Sequence, residues 1–536
     1  MKENKQLKSI SGYILMTSLL SVLAFVQVEG QTTMAAPRLV VNIIVDQLRT
    51  DYMEAFTPLY GEKGFKKLLK EGLVYRNASG SFANADRASS VASLFTGTGP
   101  FENGIIGTQW LDRTSLRPVD CVDDDAYLGL YTSQKTSPKN LTSSTVADEL
   151  KIATGGQSLV YSVSAFRDAA IFAAGHAGDG AFWFNREIGK WSGSTFYGEC
   201  PPWIATYNQL SSVDLRINDV EWKPSAPAVV TFNYFLNSGV TKPFDYKFKG
   251  LNQYADFASS GLINEEVTKV ADACLTNTAI GSDAVPDMLS VVYYAGSYQG
   301  KAIAESTAEI KDTYVRLDKS IGDLMEQVTR KVGQQNVVFM LTSTGCNVED
   351  AVDLKRFKVP TGTFYINRSA ALLNFYLAAI YGKGQYVEAC YGNQIYLDHN
   401  FIEKKQLKLS DVLEQCQNFL VQCAGVRDVY TSLRLTLGSW TPDIERLRKG
   451  YNPKVSGDVL VEVMPGWNLV NENFQNSKLV RDSYTMFPLI FWGAHVRTAT
   501  IDTPVTTDCI APTLAQCLRI RAPNACEKAP MTGVFK

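Results

Sequence analysis

Leu39-Val40-Val41-Asn42-Ile43-Ile44-Val45 is an almost unbroken aliphatic run, rich in β-branched residues and closed by Asp46. Strands buried on both faces of a parallel sheet read this way, because helices cover either side and no alternation with polar residues is needed. Runs of similar character occur at 158–164, 288–295, 337–341, 459–463 and 488–493. Helical patterns lie among them at 65–71, 144–153, 303–328, 370–381 and 409–419. This alternation predicts an α/β fold with a mostly parallel central sheet flanked by helices. Ligands bind such sheets in the crevice beyond the carboxyl ends of the strands, which makes Asp46 the first candidate site residue. Segments 183–285 and 355–455 are richer in aromatic, Asn and turn residues, and are read as cap insertions on an α/β domain spanning 31–536.

The chain has 536 residues, 52 basic against 54 acidic, for a formal net charge of -2. That balance excludes the basic footprint of a nucleic-acid binder. The first residues read as a signal peptide over 1–30: Lys2, Lys5 and Lys8 precede an apolar run from Ile14 to Val26, and Val28-Glu29-Gly30 offers a small-residue cleavage site. No cysteine follows the run, as a lipoprotein anchor would need, and no later stretch is long enough to span a bilayer. The expectation is an exported protein, periplasmic or outer-membrane-associated in a bacterium and otherwise extracellular. Export would make the ten cysteines available for disulfides, although pairing cannot be read from spacing; Cys416 and Cys423 could form a local bridge. There is no CxxC pair, P-loop or G-x-S-x-G elbow. Only three histidines are present, His176, His399 and His495. Asp123-Asp124-Asp125 lacks the spaced acids of an EF-hand and is read as a solvated loop. The aromatic cluster Phe182, Trp183, Phe184, Trp191, Phe196, Tyr197 and Trp203 is read as core of a cap, or as an interface.

Several ordered motifs carry a resemblance. Val45-Asp46-Gln47-Leu48-Arg49-Thr50-Asp51-Tyr52, Gly64-Phe65-Lys66-Lys67-Leu68-Leu69, Ser93-Leu94-Phe95-Thr96-Gly97 and Ser137-Pro138-Lys139-Asn140-Leu141 come first. Ala174-Gly175-His176-Ala177, Asp312-Thr313-Tyr314-Val315-Arg316-Leu317-Asp318 and Gly450-Tyr451-Asn452-Pro453-Lys454-Val455-Ser456-Gly457-Asp458 follow, with Asp508-Cys509-Ile510-Ala511-Pro512-Thr513-Leu514 last. Together they resemble the alkaline phosphatase superfamily, in the branch of PafA-like phosphate monoesterases next to the nucleotide pyrophosphatases. The resemblance implies a Thr or Ser nucleophile and two zinc ions that clamp the attacking and leaving oxygens.

Carried over position by position, the resemblance meets a broken site. Asp46 matches the first metal-ligand Asp. The nucleophile position, nine residues before Thr96, holds Arg87, which cannot attack phosphorus because it stays protonated. The phosphate-contacting Asn falls on Thr108, and the phosphate-gripping Lys and Arg fall on Phe166 and Asp168. The Asp-Tyr-x-Gly-His motif reads Ser297-Tyr298-Gln299-Gly300-Lys301, and the Asp-His-Gly motif reads Ser343-Thr344-Gly345. The last metal His falls near Asn476. None of the three histidines sits at a zinc position, so no metal and no other cofactor is expected. The lost metal charge suggests that Asp46 pairs with Arg87 or Lys301.

The function expected is that of a catalytically inactive pseudoenzyme, an exported binding or scaffold component with protein partners in an envelope or extracellular complex. One alternative is a phosphate- or sulfate-ester hydrolase with a rearranged site and Ser89 or Ser90 as nucleophile. A second is a non-catalytic anion-binding module using Arg87 and Lys301.

Overall fold

The strand Leu39–Asp46 lies inside the molecule, all eight of its residues buried. In the computed structural model, which describes residues 35–234, 243–345, 358, 360–438, 441–474, 476–479 and 486–535, it is the second of five parallel strands. Their spatial order is Val337–Ser343, Leu39–Asp46, Asp287–Tyr294, Val160–Ser164 and Gly180–Phe184. Aliphatic side chains fill both faces, and each fully buried Val, Leu or Ile contributes on the order of 1.5–3 kcal/mol. The sheet is mixed rather than parallel throughout. Phe487–Gly493 joins one flank antiparallel to Val337–Ser343, and Trp191–Ser194 joins the other antiparallel to Gly180–Phe184. Helix Arg167–Ala174 packs on Val160–Ser164 and Gly180–Phe184, and helix Leu262–Asn277 packs on Asp287–Tyr294 and on the long helix Thr307–Val332. An α/β sheet with covering helices is thus the fold that the aliphatic runs require.

One aliphatic run lies elsewhere. Val459–Val463 enters a separate four-stranded antiparallel sheet with Val387–Tyr391, Gln394–Leu397 and Val426–Thr431. With helices Ile366–Tyr381 and Leu409–Leu420 these strands enclose a second hydrophobic cluster, built from residues between Phe364 and Val463. The described residues of segment 183–285 form no such core of their own. Phe184, Trp191, Trp203 and Trp222 are buried in the main cluster together with the central strands, as are Phe182 and Trp183. The aromatic cluster is therefore mainly core of the sheet domain and not an exposed interface.

The signal-peptide reading, residues 1–30, lies outside the described residues, which begin at residue 35. Among the described residues no helix is long and apolar enough to cross a membrane. The disulfide expectation is corrected: the nine described cysteines are free thiols, Cys416 and Cys423 among them, and five of the nine are buried. Cys346 lies outside the described residues.

Helix Phe65–Glu71 is tied to the long helix through Asp318. The Asp318 carboxylate accepts hydrogen bonds from the amides of Gly61 at 2.9 Å and Phe65 at 2.6 Å. A Cβ on Gly64 would overlap the backbone carbonyl of Asp318, which cannot swing aside as a flexible side chain could. Gly64→Ala is expected to destabilise by about 1–3 kcal/mol through overpacking, read as a lower urea midpoint with an unchanged slope.

Candidate functional site

The site begins where the first strand ends. Asp46 is 3% exposed, and its carboxylate accepts a hydrogen bond from the Thr344 hydroxyl at 2.7 Å. Thr344 follows the neighbouring strand Val337–Ser343, so parallel pairing brings these two loops together. The Ser90 hydroxyl closes the same corner by donating to the Thr344 carbonyl at 2.9 Å. Beside it, the Ser343 hydroxyl accepts from the Gly345 amide at 3.1 Å.

Arg87 is the first residue of helix Arg87–Thr96. The N-cap Asp86 accepts from the Ser89 amide at 3.0 Å, and the Ser89 hydroxyl donates to Asp86 at 2.8 Å. The other Asp86 oxygen accepts from the amide and hydroxyl of Thr108 at 2.6 and 2.7 Å. Such caps satisfy otherwise orphaned helix amides. Here the cap also fixes Arg87 in space and consumes Thr108 and Ser89, two of the sequence-predicted site residues.

The Arg87 guanidinium lies between two buried carboxylates. Its Nε donates to both oxygens of Asp168 at 3.0 and 3.1 Å, and its Nη1 is 3.9 Å from Asp46. Its carbon stands 4.0 Å from the centre of the Phe166 ring. Phe166 and Asp168 flank the start of helix Arg167–Ala174, which packs against helix Arg87–Thr96. Burial raises the Asp46 pKa; Arg87 and the Thr344 hydrogen bond act against it. For Arg87, burial pulls the pKa down, but Asp168 and Asp46 outweigh it and hold the group firmly charged. The expected Asp46–Arg87 pairing is present and extends to Asp168.

Lys301 departs from the expectation. Among the described residues its ammonium has no ion pair with a carboxylate; it donates to the Tyr246 hydroxyl at 3.1 Å and lies 4.8 and 5.0 Å from the centres of the Tyr246 and Tyr298 rings. Ammonium over aromatic faces is a favourable arrangement of its own, so the side chain is drawn to this cluster. Ser297 is buried, and its carbonyl accepts from the Tyr294 hydroxyl at 2.8 Å. Asn476 pairs through its backbone with Asn471 in a small antiparallel ribbon, and its side chain lies outside the described residues.

The three histidines lie elsewhere. His176 is held by Asp148 at 2.9 Å and the Leu141 carbonyl at 3.0 Å. His399 meets Asp458 at 2.8 Å, and His495 occupies a left-handed backbone position at φ 60°. Of the three acids at 123–125, Asp123 pairs with Arg167, Asp124 with Lys139 and Asp125 with Lys135. Sequence reasoning missed Asp86 and Arg186. The D-x-x-S spacing of Asp86 and Ser89 was a usable capping signal, whereas nothing local marks Arg186, which arrives from the turn after strand Gly180–Phe184.

A mixed α/β sheet with its polar cluster at the carboxyl end of the central strands defines the class. The description "Type I phosphodiesterase / nucleotide pyrophosphatase" belongs to the family model that matches residues 40–483. The chain is 30% identical to alkaline phosphatase PafA of Elizabethkingia meningoseptica, with 94% of this chain and 96% of the relative covered. Alkaline phosphatase PhoV of Synechococcus elongatus is 27% identical, with 94% of each covered. The crystal structure of wild-type PafA superposes with a TM-score of 0.81 at 28% identity, covering 94% of this chain and all of that one. Murine ectonucleotide pyrophosphatase / phosphodiesterase 5 shares the fold, with a TM-score of 0.51 at 11% identity. The chain belongs to the type I phosphodiesterase / nucleotide pyrophosphatase family, in the PafA-like branch of the alkaline phosphatase superfamily.

Two outcomes are expected. Arg87→Met strands two buried carboxylates and should cost on the order of 3 kcal/mol, as when one partner of a buried pair is removed. Adding Asp168→Asn should recover part of that loss in a urea-unfolding double-mutant cycle. For His176, burial lowers the pKa but Asp148 and the Leu141 carbonyl outweigh it, so the net shift from 6.5 is upward. The stabilisation from the charged imidazole is complete below 6.5 and is lost as pH rises through the higher native value. The stability gap between wild type and His176→Ala should therefore narrow as pH rises above 6.5 and through the higher native value, read from urea unfolding at a series of pH values.

Proposed function

We propose that this chain is a non-catalytic member of its superfamily, an exported binding or scaffold component of an envelope or extracellular complex. One observation carries the reading: the side chain at the nucleophile position is a guanidinium, held between Asp46 and Asp168. A permanently protonated group cannot attack phosphorus, and its charge occupies the place where a metal would be held by Asp46.

The donor set supports the same reading. Zinc takes imidazole, thiolate and carboxylate ligands in four-fold sets. At the positions that match the family's ligands, Asp46 is accompanied by Ser297, Lys301, Ser343, Thr344 and Asn476. One carboxylate with hydroxyls, an amide and an ammonium does not fit a two-zinc centre. Among the described residues no group of three or more His, Cys, Asp or Glu is placed to hold a metal ion.

The competing reading, an ester hydrolase with a rearranged site, is favoured by the names of the relatives, which are alkaline phosphatases. Its nucleophile would be Ser89 or Ser90. Ser89 is wholly buried and bound into the cap of its helix. Ser90 donates to the Thr344 carbonyl, and among the described residues no His, Asp or Glu is hydrogen-bonded to its hydroxyl.

Hydrolysis of aryl phosphate, phosphodiester and sulfate esters, measured alongside metal content, tests the proposal. The expected result is no turnover above the uncatalysed rate, with or without added zinc, and no stoichiometric zinc. Stoichiometric zinc with turnover abolished by Ser90→Ala would establish the hydrolase instead.

A further inference from the structure

Arg186 is an exposed residue in the turn between strands Gly180–Phe184 and Trp191–Ser194, and among the described residues it has neither an ion pair nor a hydrogen bond to its side chain. Its position is nonetheless fixed. Asn185 is buried; its side chain accepts from the amides of Glu187 and Ile188 at 2.8 and 3.3 Å, and donates to the Ser192 hydroxyl at 3.1 Å. The guanidinium that this turn presents stands 5.3 Å from the centre of the Phe166 ring, the ring that Arg87 contacts at 4.0 Å. Two like charges thus share one aromatic ring.

The hydrogen-bonding capacity around that ring is largely unused. A guanidinium carries five N–H donors. Arg87 uses only its Nε, on Asp168; Nη1 at 3.9 Å from Asp46 is an ion pair and not a hydrogen bond. Four donors of Arg87 and all five of Arg186 have no acceptor among the described residues. Although water reaches Arg186, crowding by protein atoms and then the charge of Arg87 lower its pKa. Tyr294, Asp46 and Asp168 oppose that shift without cancelling it.

The geometry points to a small-oxyanion site formed by Arg186 and the outer edge of Arg87 beside Phe166, taking a phosphate or sulfate group that it holds without turnover. Charge-assisted, forked bonds to tetrahedral oxyanions are what guanidinium donors make best. The inference deepens the non-catalytic reading, because it needs Arg87 to stay in place as a cation. The exposure of Arg186 admits the group either as the free ion or as the end of a larger molecule.

Titration calorimetry of the full chain with inorganic phosphate, inorganic sulfate and methylphosphonate, against a chloride control, tests it. Methylphosphonate represents the substituted source and the inorganic ions the free one; saturable binding of either supports the site. Arg186→Ala should weaken that binding by about tenfold or more, the worth of one charge-assisted contact. Its melting temperature without ligand should change little, since the Arg186 side chain makes only a distant ring contact, 5.3 Å from the centre of Phe166. Arg186→Lys should retain part of the affinity, and Asp46→Asn should tighten it by removing an opposing charge. Absence of saturable binding in the wild type, or equal binding in Arg186→Ala, would overturn the site. Ester turnover that accompanies Arg186-dependent binding would refute the non-catalytic reading and leave the site standing.

Discussion

The guanidinium of Arg87, lodged between the buried carboxylates of Asp46 and Asp168, is the interaction on which the rest of the site depends. Two anions at the carboxyl end of a central strand would be costly in so dry a place without a counter-charge. Arg87 supplies it, and every neighbouring contact serves to keep it there. Asp86 caps its helix, Thr108 anchors Asp86, Phe166 supports the guanidinium face, and Thr344 completes the hydrogen bonding of Asp46.

Set against the family pattern, the positive charge has moved without disappearing. The resemblance places a neutral hydroxyl nucleophile at 87 and cations at 166 and 168; this chain has a cation at 87 and Phe166 and Asp168 opposite. The exchange is internally consistent, since Asp168 would be an uncompensated buried acid without Arg87. Arg87 in turn would face only Asp46 without Asp168. Unrelated surface drift does not produce a buried, mutually satisfied pair at two positions 81 residues apart.

Much of this was legible beforehand, for a physical reason. Buried parallel strands must be aliphatic on both faces, so Leu39–Asp46 announced itself, and the motif order then located Asp46, Arg87 and Asp168. What remained hidden depended on side-chain direction. Lys301 stood beside Arg87 as a candidate partner of Asp46 because its position matches a metal ligand, yet a long flexible chain follows the best local field, and that field is the Tyr246 and Tyr298 pair. Arg186 was invisible because only strand pairing brings the turn beside Phe166. The run 459–463 read as a central-sheet strand because a buried antiparallel strand of a small second core can be equally aliphatic.

Arg87 also differs from a metal in what it leaves open. A guanidinium is planar and directional: two carboxylates can neutralise it electrostatically while most of its donors still face outward. Charge balance inside the fold and hydrogen-bonding capacity at the mouth are therefore separable here. Asp168 and Asp46 account for the first; Phe166, by aligning the Arg87 face and approaching Arg186, governs the second. A site in which an arginine balances two buried carboxylates can thus be internally compensated and still hold donors that no protein group uses.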